Sequence, residues 1–143
     1  MRLAVVGTRT FESVDLIDAH LDRWRSEHLP LIIVSGGARG ADRLAAAYAR
    51  RHCLELLQFR PDWAQHGRRA GAIRNRQIVD NADALVAFWD EQSPGTKITL
   101  EMAVGKGIPS TVVTPDGTTY AYQIMTGSPT SARSAPSAAT RSR

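Results

Sequence analysis

Five short apolar runs are spaced along the chain and separated by helix-like segments: "RLAVVG" (2–7), "LIIVS" (31–35), "LELLQF" (54–59), "ALVAFW" (84–89) and "PSTVVT" (109–114). Each is short, apolar and bounded by turn residues, as a strand buried on both faces is. Between the first two, Val14, Ile17, Leu21 and Trp24 recur at helical spacing and predict a helix over 12–27. "GADRLAAAYARRH" (40–52) is alanine-rich and helical. A helix begins inside the loop "PDWAQHGRRAG" and continues through "AIRNRQIVDNA", and another is predicted over 97–106. Strictly alternating strands and helices require a parallel sheet with helices on both faces. The expected fold is α/β, a three-layer sandwich with a mostly parallel sheet of five strands. "DGTTYAYQIM" can add a sixth strand at an edge.

The chain has 143 residues, enough for one core, and its 43% hydrophobic and 22% charged content suits a globular domain. The division expected is a domain over 1–125 and a tail over 126–143. The tail, "TGSPTSARSAPSAATRSR", has no large apolar residue and is expected to be disordered. It also explains the charge. Arg133, Arg141 and Arg143 account for most of the formal +4, leaving 15 basic against 14 acidic side chains before Thr126. A nearly neutral domain argues against a nucleic-acid partner despite a pI near 9.8. Cys53, the one cysteine, reads as a small buried apolar residue in a reducing compartment. No apolar run nears the ~20 residues of a membrane span. A cytoplasmic location is expected.

In a parallel sheet, ligands bind beyond the carboxyl ends of the strands, where strand order reverses. The residues leaving strands one to four are "GTRTF", "SGGARGAD", "RPDWAQHGRRAG" and "DEQSPGT". Glycine, hydroxyl, arginine and aspartate concentrate there. In "SGGARGAD", Gly36 and Gly37 permit positive φ and close backbone approach, and Gly40 opens the next helix, whose free N–H groups suit a phosphate. Arg39 adds a forked cation, and Asp42 either caps backbone N–H groups or accepts from a ribose hydroxyl. The same segment also reads as a plain strand–helix turn. "SPGT" repeats the pattern with Ser93, Gly95 and Thr96, and "GTRTF" offers Gly7, Thr8 and Arg9. Trp63 stacks on a ring or covers core. Arg74 and Asn75 follow on a helix, Asp90 closes strand four, and Glu101 lies within the helix after it. No Cys/His cluster has metal-ligand spacing, so neither a metal nor a cofactor is expected.

Read together, "VVGTRTF", "SGGARGAD", "RPDWAQHGRRAGAIRN", "LVAFWD" and "SPGT" resemble the SLOG superfamily. That group is Rossmann-like and includes the DprA/Smf proteins and the lonely-guy phosphoribohydrolases. The likeness is greatest to its YspA-like branch and spans residues 2–114. It implies a single-domain Rossmann-like fold and a pocket for a nucleotide or nucleotide-derived ligand. The branch is associated with sensing or processing such ligands in bacterial and phage conflict, and its relatives commonly form homodimers. The expected activity is binding of an ADP-ribose-like molecule or a nucleoside monophosphate, as a sensor or sequestering module. The expected ligand set is Gly7, Thr8, Arg9, Ser35, Gly36, Gly37, Arg39, Gly40, Asp42, Trp63, Arg74, Asn75, Asp90, Ser93, Gly95 and Thr96. Phosphate is expected on the N–H groups of 36–40 and 95–97 with Arg9, Arg39 or Arg74. Ribose is assigned to Asp42 or Asp90, and the ring to Trp63 or Trp89. The alternative is an N-glycosidase with Arg74, Glu101 and Asp90 as catalytic residues. The glutamate of the lonely-guy relatives has no counterpart in register, since Ile98 and Thr99 stand there. A second alternative is single-stranded DNA binding.

Overall fold

A computed structural model of the chain describes residues 1–123; the tail expected over 126–143 lies outside them. The elements run β1 (Arg2–Gly7), α1 (Val14–Glu27), β2 (Ile32–Ser35), α2 (Ala41–Arg51), β3 (Glu55–Gln58), α3 (Trp63–His66), a 3-10 turn (Gly67–Arg69), α4 (Ala70–Asp80), β4 (Ala84–Phe88), α5 (Pro94–Gly105), β5 (Ser110–Val113) and β6 (Thr119–Ala121). The sheet order is β3-β2-β1-β4-β5-β6, parallel throughout except for β6, which pairs antiparallel to β5. The fold is the Rossmann-like α/β sandwich expected, with the sixth strand present at the edge.

One apolar cluster joins the sheet to α1 and α2 through Leu3, Val5, Ile17, Leu21, Ile33 and Ala45. The other fills the opposite face through Val6, Val34, Ile78, Leu85, Leu100 and Val112. Two helices per face bury both sides of β1 and β4, which is why those runs carry no polar alternation. Several boundaries differ from the sequence reading for local reasons. α1 starts at Val14 because Ser13 caps it, accepting from Leu16 N–H at 3.2 Å. The helix expected to begin inside "PDWAQHGRRAG" is two, α3 and α4, separated at Gly67, whose φ is 58°. α5 begins at Pro94 rather than 97, since a proline suits the first helical position, where no N–H is needed.

Cys53 corrects the sequence reading. It is exposed, not buried, and its φ is 55°. It occupies the left-handed position that ends α2: Leu54 N–H donates to Ala49 C=O at 2.8 Å and Cys53 N–H to Arg50 C=O at 3.3 Å. This is the Schellman closure, usually completed by glycine, and it turns its residue away from the core.

Candidate functional site

The carboxyl ends of β1 and β4 lie side by side, with Gly7 opposite Phe88. The chain leaves β1 toward one edge of the sheet and β4 toward the other, so the two departing loops part and leave a crevice. A cavity of about 470 Å³ opens there. Its walls come from β1 and its turn (Val6, Gly7, Thr8, Arg9, Thr10), from Ala38 and Asp42, from Arg74, Asn75 and Ile78 of α4, and from Asp90, Ser93, Pro94, Gly95, Thr96 and Thr99.

The turn after β4 is tied together by one carboxylate. Asp90 Oδ1 accepts from Gln92 N–H and Ser93 N–H, both at 2.9 Å, and from the Ser93 hydroxyl at 3.0 Å. Burial pushes the Asp90 carboxyl up, but these bonds and one with Thr8 outweigh it, and the carboxyl sits below its ordinary value. The Asp90 N–H in turn donates to Thr8 Oγ1 at 3.0 Å, fastening this turn to the one after β1. Ser93 occupies the cap position of α5, yet its hydroxyl is spent on Asp90 and makes no cap bond. With Pro94 first in the helix, the N–H groups of Gly95 and Thr96 open α5 without a side-chain cap, carrying the positive end of the helix dipole to the cavity wall.

The glycine-rich turn after β2 is built differently. Asp42 Oδ2 accepts from the N–H groups of Gly36 and Ala38, each at 3.2 Å. Ser35 Oγ accepts from Gly37 N–H at 3.2 Å. Three amides expected to hold phosphate are thus already occupied within the turn. Gly37 and Gly40 do take positive φ, at 74° and 75°. At Gly40 the need is also spatial, because a Cβ there would lie 2.3 Å from Thr8 C=O. Asp42 is buried, and burial pushes its carboxyl above the ordinary value, opposed by the Ala38 N–H, the Arg74 guanidinium, the Gly36 N–H and Arg9.

Arg74 reaches across from α4. Its Nη1 donates to Gly36 C=O at 2.8 Å and its Nε to Asn75 Oδ1 at 2.9 Å. A side chain on Gly36 would collide with this guanidinium at 2.6 Å, so the glycine serves arginine packing. Burial lowers the Arg74 pKa, with Asp42 opposing and Arg9 adding to the shift; an arginine so placed still carries its charge at neutral pH. Arg9 stands exposed on the wall beside it.

Of the expected residues, the structure brings together Gly7, Thr8, Arg9, Asp42, Arg74, Asn75, Asp90, Ser93, Gly95 and Thr96. Ser35, Gly36, Gly37, Arg39 and Gly40 do not line the cavity; their turn reaches it through Ala38 and Asp42. Neither tryptophan lines it. Trp63 is 57% exposed on α3, whereas Trp89 is 7% exposed and donates its indole N–H to Ser93 C=O at 3.0 Å. Glu101 is also off the wall; burial raises the pKa of the Tyr122 phenol, and the Glu101 carboxylate adds to that shift. Ile78 and Thr99 were not anticipated. A helical period finds both, since Ile78 follows Arg74 by four residues and Thr99 follows Thr96 by three. Among the described residues no three His, Cys, Asp or Glu side chains group to hold a metal ion, and no helix is long and apolar enough to cross a membrane.

A family model described as the YspA, cpYpsA-related SLOG family matches residues 1–66. The Gene 61 protein of Mycobacterium phage D29 is 34% identical over an alignment of 115 residues that covers 76% of this chain and 92% of that protein. No solved structure is a significant match. With the motifs above, the family match leads to one conclusion: the chain belongs to the YspA-related branch of the SLOG superfamily.

Proposed function

We propose that this protein binds a phosphate-bearing nucleotide or nucleotide derivative, such as a nucleoside monophosphate or ADP-ribose, and acts as a sensor or sequestering module. The observation that carries this reading is the start of α5. Its first residues with an N–H, Gly95 and Thr96, have no side-chain cap, line a cavity at the strand-order reversal, and share its wall with Arg9 and Arg74. Two arginines and a helix terminus share this wall with two carboxylates, and one oxygen of Asp42 is already engaged by the amides of Gly36 and Ala38. Family membership points the same way.

Gly95→Asp tests the reading. A Cβ at Gly95 meets nothing within 4 Å, so an aspartate fits. An acid in the first helical turn favours the fold while repelling an anion. Titration calorimetry with AMP and ADP-ribose should show saturable binding to the parent protein. The variant should keep or raise its Tm and lose affinity by about tenfold or more, the scale of an unfavourable charge contact. Equal binding by the variant removes the anion from α5, and no binding by the parent protein ends the proposal. A hydrolytic reading has less support, because of its two carboxylates only Asp90 lines the cavity. Free base released from AMP would reinstate it.

A further inference from the structure

The turn that carries Asp90 and Ser93 contains one strained residue. Glu91 has a φ of 66°, a left-handed conformation that costs most residues other than glycine. Its neighbours are held from within the turn. Asp90 Oδ1 gathers the amides of Gln92 and Ser93, and the Trp89 indole N–H fixes Ser93 C=O. Glu91 is exposed and is held from elsewhere. Tyr120 Oη, twenty-nine residues away on β6, donates to Glu91 Oε2 at 2.6 Å. Among the described residues this is the one hydrogen bond that Glu91 makes. Tyr120 is a firm post. It is half-buried, packs against the apolar cluster shared by α4 and α5, and stands opposite Val112 in the sheet. Burial, and then the Glu91 carboxylate, raise its pKa, so the hydroxyl keeps its proton and remains a donor. Neither Tyr120 nor Glu91 lines the cavity at α5.

We propose that Tyr120 is a positioning residue for the cavity: by anchoring the Glu91 carboxylate to β6 it keeps Glu91 left-handed, and so keeps the turn in the shape that brings the start of α5 to the wall. The inference rests on the nucleotide reading above and adds to it a residue outside the site. Without the tie, Glu91 lowers its energy by relaxing to negative φ. That rotation turns the peptides on either side and draws the amides of Gln92 and Ser93 off Asp90. It also moves Ser93 C=O, which accepts from Lys97 N–H in the first turn of α5.

The experiment is calorimetry with AMP on the full chain, with Tm measured for each variant. Tyr120→Phe keeps the ring and removes the donor. It should bind AMP about fivefold more weakly, the scale of one hydrogen bond. Position 91 separates positioning from plain stability. Glu91→Ala and Glu91→Gly both delete the carboxylate, but only glycine takes positive φ without steric cost. Glu91→Ala should therefore also lose about fivefold, whereas Glu91→Gly should stay within about twofold of the parent protein. Adding Tyr120→Phe to Glu91→Gly should change affinity by no more than about twofold, because no carboxylate is left to hold. A Tyr120→Phe affinity equal to that of the parent overturns this inference and leaves the nucleotide reading intact. So does a Tyr120→Phe loss that is as large in the Glu91→Gly background, or a Glu91→Gly that binds as weakly as Glu91→Ala. No AMP binding by the parent overturns both. Should Tyr120→Phe fail to fold, the pair at position 91 decides alone.

Discussion

Two turns in this molecule look alike as strings. "SGGARGAD" after β2 and "DEQSPGT" after β4 both combine glycine, a hydroxyl and an aspartate where a strand passes into a helix. Their hydrogen bonds separate them. In the first, the aspartate follows the turn and reaches back, and with Ser35 it closes over the amides of Gly36, Gly37 and Ala38. In the second, the aspartate precedes the turn and gathers Gln92 and Ser93, leaving the helix amides beyond Ser93 uncapped. The first turn is a self-satisfied scaffold; the second presents its donors. Glycine content alone does not mark an anion site. What marks one is whether the neighbouring oxygen has already taken the amides.

The sharpest way to break this contrast is at Gly40. Its φ of 75° disfavours any Cβ, and the added carbon would sit 2.3 Å from Thr8 C=O and 2.6 Å from the Arg9 backbone. Neither neighbour is the loose end of a side chain. Gly40→Ala should destabilise the fold by about 3 kcal/mol or more, combining left-handed strain with a backbone collision. Urea denaturation measures this. A loss below about 1 kcal/mol, within the range of strain alone, would mean the turn is not packed against β1 as described.

Asp42 comes next. Asp42→Ala strands two amides, so a loss of about 2–3 kcal/mol is expected. Asp42→Asn keeps an acceptor and isolates the charge. Burial raises the Asp42 carboxyl above 3.8, so the folded chain holds that proton more tightly than the unfolded chain. Stability relative to Asp42→Asn should therefore fall as pH rises from about 4 through the folded value. Asp90 is shifted the other way: its contribution is present above 3.8 and is lost as pH falls through its lower folded value. Denaturation of the parent, Asp42→Asn and Asp90→Asn across pH 3–7 should give opposite slopes for the two carboxylates. Slopes of one sign would contradict the difference between the turns.

The strands were legible because β1, β2 and β4 are apolar on both faces, and a run such as Ala84–Phe88 has few other readings. The sequence reading draws the turns after β1, β2, β3 and β4 to one rim; the cavity takes residues from those after β1, β2 and β4, while the loop after β3 contributes none and α4 lines the wall instead. The role of Trp89 was not legible. Its place after an apolar strand fits a base platform as well as a core residue, and only its indole bond to Ser93 decides. Cys53 misled for a similar reason. Cysteine is usually buried, but chain geometry at the end of α2 overrode that preference. The purpose of Gly36 was hidden because its neighbour, Arg74, lies thirty-eight residues away in sequence.

The smallest expected effect is the most discriminating about the second turn. Gly95 has no positive φ, and a Cβ there meets open space. If this glycine serves only as the second residue of α5, Gly95→Ala should stabilise the fold by about 0.5 kcal/mol through reduced freedom of the unfolded chain. The amide stays in place, so affinity for AMP should move by no more than about threefold, under 0.7 kcal/mol. If instead the ligand lies directly against the Cα, as at phosphate loops that demand glycine, the methyl should cut affinity by about tenfold while Tm still rises. Paired measurement of Tm and AMP affinity separates the two. The expected outcome is the first, because the donors at this turn are helix amides that any residue but proline supplies, whereas at Gly40 the backbone itself forbids the substitution.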